Sequence, residues 1–119
     1  MLDRTGIKWS KEETILAFDL YCRTSFGKIN SSNKDIKELA GLLGRTPGAV
    51  ALKMHNLAHY DPELRKRNVT AMAHGSKLDA SVWEEFSSNW EDLSYQARCI
   101  LAGLKSESID KVLHETEIV

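Results

Sequence analysis

The chain has 119 residues, 42% of them apolar and 28% charged, with a net charge of −1. That size fits one compact domain burying roughly two-thirds of the surface its unfolded form exposes, so neither disulfides nor a structural metal are needed to fold it. No apolar run approaches the roughly 18 residues of a membrane span, and Met1-Leu2-Asp3-Arg4-Thr5 lacks the hydrophobic run of a secretory signal, so a soluble, cytoplasmic protein with no membrane partner is expected.

Charge is unevenly divided. Residues 1–67 hold 12 Lys/Arg against 8 Asp/Glu and residues 68–119 hold 4 against 9, so the halves carry +4 and −5. Such an asymmetry suits a basic face that meets nucleic acid, or two ordinary solvated faces. Cys22 and Cys99 stand far apart in apolar surroundings and are expected as reduced packing residues of the core.

Ser10 and Glu13 have the spacing of a capping box, which starts a first helix near Lys11. Its apolar positions, Ile15, Leu16, Phe18, Leu20 and Tyr21, recur mostly at three and four and carry the helix to about Arg23. A loop with two apolar anchors, Phe26 and Ile29, follows. Asn33 caps a second helix, Lys34 to Leu43, closed by Gly44 in the left-handed region. Arg45 is a short link, Thr46 the next N-cap, and Pro47 takes the first helical position, where its missing amide costs nothing. In this third helix Val50, Met54 and Leu57 form a buried edge, which puts Leu52, Lys53 and Asn56 on or near the outward side.

Asp61-Pro62 predicts one short helical turn ending in the basic cluster Arg65-Lys66-Arg67, and residues 68–78 read as irregular. Asp79 is placed to cap a helix through Val82, Trp83 and Phe86, and a last helix runs from about Trp90 to Leu104, where Gly103 and the polar stretch after it mark its end. Trp9, Trp83 and Trp90 lie on apolar stripes and are expected in the core. Residues 105–119 form a marginal helix or a tail. With no period-two strand pattern, the fold class is all-α: a three-helix helix-turn-helix core over about 10–59, extended by C-terminal helices into one domain over 8–104.

Catalysis finds little support. His55 and His59 stand at i, i+4, a spacing that suits metal, but two ligands alone make a weak site, and a hydrolase would need further ligands from elsewhere. The pairs Glu12-Glu13, Glu84-Glu85 and Glu91-Asp92 diverge by about 100° on their helices instead of converging on a substrate. No catalytic motif, metal site or cofactor is therefore expected in this chain.

Binding reads better. In helix-turn-helix geometry the third helix enters the major groove of double-stranded DNA, its amide-rich N-terminus turned to phosphate with Arg45, Thr46 and Lys53 as side-chain donors. Asn56 has the chemistry to pair with adenine, and Leu52 or Ala51 to touch a thymine or methylcytosine methyl group. Lys28 and Lys77, each beside a glycine, add two candidate phosphate contacts.

Trp9-Ser10-x-Glu12-Glu13, the spacing to Leu16 and Leu20, and Gly44-Arg45-Thr46-x-x-Ala49-Val50 resemble the Myb/SANT three-helix DNA-binding pattern. The longer run that adds Phe26-Gly27-Lys28-Ile29, Asn56-Leu57-Ala58, Asp61-Pro62, Gly75-Ser76-Lys77-Leu78-Asp79 and Trp83-x-Glu85-Phe86 resembles the N-terminal region of bacterial HNH-type endonucleases of the restriction kind, over about residues 8–104. The resemblance implies target recognition for a nuclease. It also implies that cleavage, with a histidine base and a divalent metal, belongs to a separate C-terminal HNH module that this sequence does not include. The chain departs from the Myb pattern at Ala51 and Leu52, where polar base-reading residues are common. The alternatives are a SANT-like protein-interaction module that holds a protein partner on the same helix, or a stand-alone transcriptional regulator, with a homodimer as a possible assembly.

Overall fold

The computed structural model describes residues 6–66 and 76–117, with side chains left aside at 65 and 107–117. The described residues are helical throughout their regular structure: α1 (Lys11–Cys22), α2 (Lys34–Leu43), α3 (Pro47–Ala58), α4 (Pro62–Lys66), α5 (Lys77–Phe86) and α6 (Trp90–Glu117), with a single 3₁₀ turn at Phe26–Lys28. The all-α class is as expected, and no strand occurs among the described residues.

Local chemistry fixes most of the boundaries. Ser10 and Glu13 form a full capping box at α1, with Ser10 Oγ accepting from the Glu13 amide and the Glu13 carboxylate accepting from the Ser10 amide, at 3.1 and 3.0 Å. Asn33 Oδ1 accepts from the Asp35 and Ile36 amides at the head of α2. Gly44 ends α2 at φ 69°, a conformation glycine adopts without a Cβ penalty. Two residues later Thr46 caps α3 and Pro47 starts it. The connection is thus set by three consecutive local preferences, and it holds α2 and α3 in contact.

Helix α1 is the hub, packed on α2, α3, α5 and α6. Its Phe18 is fully buried, stacked on Trp83 with centroids 4.7 Å apart and met edge-on by Trp90 at 5.7 Å. Ile36, Val50, Met54, Leu57, Val82, Phe86 and Leu93 complete the centre from four further helices.

Four expectations are corrected here. Helix α5 begins three residues early because Ser76 is its N-cap, with Asp79 as the reciprocal partner at the third position instead of the cap. Helix α6 runs through Gly103 to Glu117, since one glycine in a helix interior costs only about 1 kcal/mol; the stretch from 105 is therefore helix as far as it is described. Cys22 and Cys99, expected in the core, are both exposed: Cys22 closes α1 at the surface, and Cys99 lies on the side of α6 away from buried Leu93 and Ala97. Trp90 is likewise half exposed at 50%, while Trp9 and Trp83 are partly buried against the core. Of the segment expected to be irregular, 68–75 lies outside the described residues.

Candidate nucleic-acid interface

The start of α3 is built around an ion-paired cluster. Arg45 donates through Nε to Glu13 Oε2 at 2.7 Å and through Nη2 to Glu13 Oε1 at 3.1 Å, a two-pronged pair with the carboxylate that also caps α1. The same Nη2 reaches the Lys8 carbonyl at 3.3 Å. Lys53 Nζ donates to Asp79 Oδ1 at 2.9 Å, and Asp79 is fully buried with its other oxygen accepting from the Ser76 amide. The Trp9 ring faces both cations, the Arg45 guanidinium 4.6 Å and the Lys53 ammonium 5.2 Å from its centroid.

Arg45 and Lys53, expected as phosphate donors, are therefore staples of the fold, each 8% exposed. Asn56, expected to reach a base edge, is 9% exposed, and its buried Oδ1 accepts no hydrogen bond among the described residues. The reason is geometric. Val50, Met54 and Leu57 mark only one edge of α3, but α5 packs on the adjoining flank as well, so the buried arc extends to Lys53 and Asn56. The pairing signal was present as two capping patterns, Ser10-x-x-Glu13 and Ser76-x-x-Asp79, whose carboxylates each have a second oxygen to offer.

The outward ridge of α3 is Gly48 and Leu52, the latter 45% exposed, with Ala49 and His55 half buried at its margins. Thr46 is exposed at the tip, and its hydroxyl accepts from the Ala49 amide at 3.1 Å while keeping its own proton to donate. Three exposed lysines border this ridge, and none forms a salt bridge among the described residues. Lys28 precedes Ile29, whose carbonyl accepts from His55 Nε2 at 3.1 Å, which places it on one flank. Lys77 follows the Ser76 cap that holds Asp79 against Lys53, which places it on the other. Lys8, whose carbonyl meets Arg45, stands at the N-terminal end and carries no motif that sequence reasoning could have caught. Of the residues picked from the sequence, Lys28, Thr46, Leu52 and Lys77 are exposed, and Arg45, Lys53 and Asn56 are buried. The ridge presents no charge of its own; the charge sits on its rim.

No group of three or more metal-ligating side chains occurs among the described residues, and His55 is engaged with Ile29 and packed edge-on against Phe26 at 5.3 Å. Partial burial, with the carboxylates of Asp19 and Asp61 nearby, pushes the Cys22 thiol up to about 12, so it stays protonated at neutral pH and is a poor nucleophile. No described helix is long and apolar enough to cross a membrane. No family profile, curated protein or solved structure matches the chain.

Proposed function

We propose that the chain is a double-stranded DNA recognition unit that lays the Gly48–Leu52 ridge of α3 in the major groove, as the target-reading part of an HNH-endonuclease-like restriction protein. One observation carries this reading: an exposed, uncharged helical ridge bordered on both flanks and at its N-terminal end by Lys28, Lys77 and Lys8. A rim of ammonium groups meets the phosphates on either side of a groove, while a small ridge lets the helix approach the bases closely. The Gly48 amide in the first turn and the Thr46 hydroxyl add neutral donors to the backbone, and Leu52 supplies an apolar contact suited to a thymine or methylcytosine methyl group. Arg45 and Lys53 act indirectly, by fixing the angle at which α3 leaves the bundle.

The test is the salt dependence of duplex binding by fluorescence anisotropy. Three phosphate contacts give a slope of log K against log salt near −2.7, at about −0.9 per contact, and alanine at Lys8, Lys28 or Lys77 should each reduce its magnitude by about 0.9 without changing the melting temperature. Leu52→Asp should abolish binding in a folded protein. A chain that binds no duplex at low salt sinks the reading. A second reading, a SANT-like surface that holds a protein segment, is favoured by one feature: the exposed side chain at the centre of the ridge, Leu52, is apolar. Binding of Leu52-dependent protein partners with no salt-dependent duplex affinity would select it.

A further inference from the structure

A groove of about 920 Å³ lies between the C-terminal end of α1, α4 and the corner where α5 meets α6. That volume sits towards the upper end of the roughly 300–1,000 Å³ typical of ligand sites and exceeds what one small side chain needs. Its walls are aromatic. Trp83 lies nearly parallel to the buried Phe18 ring, at 13°, while Trp90 stands nearly perpendicular to the same ring, at 87°, so the two indoles are set at roughly a right angle to each other. Tyr21 closes a further side, inclined 63° to Trp83. Trp90 leaves half its surface in solvent.

The polar groups of the groove carry a sign. Asp61 accepts from the Tyr21 hydroxyl at 2.6 Å and from the Glu63 amide at 2.9 Å, each oxygen keeping a second lone pair. Glu63 is an exposed neighbour whose carboxylate lies 3.6 Å from the equally exposed Lys66 ammonium, a loose pair. Asp19 is paired with Arg23 at 2.9 Å and Glu63 loosely with Lys66 at 3.6 Å, which leaves Asp61 as the carboxylate of the groove with no cation paired to it among the described residues. A phosphate backbone meets repulsion here, and a purely apolar segment would strip water from Asp61 without replacing it. A planar cation satisfies both surfaces at once, stacking on an indole face while donating to the carboxylates.

We propose that this groove docks an arginine side chain of a partner polypeptide, with the guanidinium over Trp90 and Trp83 and its N–H groups on Asp61 and Glu63. The site is separate from the α3 ridge and of opposite charge preference, so the domain has one face for a polyanion and another for a cationic segment. The occupant is set by charge and ring geometry, and the proposal stands whether or not α3 binds DNA.

The experiment titrates the whole chain with acetyl-Ala-Ala-Arg-Ala-Ala-amide, and separately with the same peptide carrying uncharged citrulline, following the indole N–H signals of Trp9, Trp83 and Trp90 by NMR. The expected result is saturable shifts of Trp90 and Trp83 with the arginine peptide, at least about fivefold weaker binding of the citrulline peptide, and an unmoved Trp9. Trp90→Leu and Asp61→Asn should each weaken binding at least about fivefold, and Glu63→Gln, at an exposed position that leaves the fold intact, about two- to threefold. Equal response to both peptides, shifts at Trp9 instead of Trp90, no shift at millimolar peptide, or displacement of the arginine peptide from the groove by duplex DNA would each overturn the proposal.

Discussion

Replacing Lys53 by methionine tests whether this residue is a staple or a ligand contact. The side chain is 8% exposed and its ammonium lies 2.9 Å from the carboxylate of Asp79, which has no exposed surface. Methionine fills nearly the same volume, so the change removes one charge and little packing. Asp79 then keeps only the Ser76 amide as a donor, a buried carboxylate without its cation. Breaking one side of a buried pair costs about 3–5 kcal/mol, most of it the stranded charge. For a domain of this length each kcal/mol lowers the melting temperature by roughly 3–5 °C, so the midpoint should fall by about 10–20 °C. Urea unfolding followed by tryptophan fluorescence measures the loss. The double change Lys53→Met with Asp79→Asn retains the acceptor for Ser76 while removing the stranded charge, and should recover about half the loss or more. A single variant that loses less than about 1 kcal/mol would refute the reasoning, because that is the range of an exposed pair.

Arg45→Lys should destabilise by about 1–3 kcal/mol despite conserving charge, because an ammonium cannot reproduce the two-pronged contact with Glu13 or the stacking on Trp9. Phe18→Ala should cost about 3–5 kcal/mol in the same urea assay, since a fully buried ring between two tryptophans leaves a cavity its neighbours cannot fill. Thr46→Ala removes the α3 cap and should cost about 1 kcal/mol, seen as a shifted midpoint with an unchanged denaturant slope. Cys22, with its thiol pushed up to about 12 by burial and the acids beside it, should alkylate far more slowly with iodoacetamide at pH 8 than the same residue in the urea-unfolded chain. Because that folded value lies above the ordinary 9.0, the stability it contributes is whole below pH 9 and is lost as pH rises towards 12; Cys22→Ser should flatten that alkaline decline.

Helix positions were legible wherever a boundary is a local affair. Ser10, Asn33, Gly44 and Thr46-Pro47 each satisfy or free a backbone group within a few residues, so their effect needs no knowledge of the rest of the chain. The side chains on those helices were less legible, because their environment depends on which neighbour arrives. Lys53 and Asn56 look outward if only α1 covers α3, and become interior once α5 is laid alongside. Arg45 reads as a surface cation in a turn until Glu13, far off in sequence, is found to offer its second oxygen. Cys22, Cys99 and Trp90 illustrate the converse: apolar sequence surroundings do not ensure a buried position on a helix that shows solvent its other side. Lys28 was legible as an exposed residue because Gly27 beside it marks a short surface turn, whereas Lys8, also exposed, had no such marker.

The double duty of Glu13 has a mechanical consequence. One oxygen sets where the first helix begins and both grip the guanidinium just ahead of the third, so a single carboxylate acts as the shared pivot of two rods. Any change that shifts its footing by a fraction of an ångström swings the far rod's leading edge through a larger arc. Mutational drift at the opening turn of the chain is thereby transmitted to the aim of a surface it never touches.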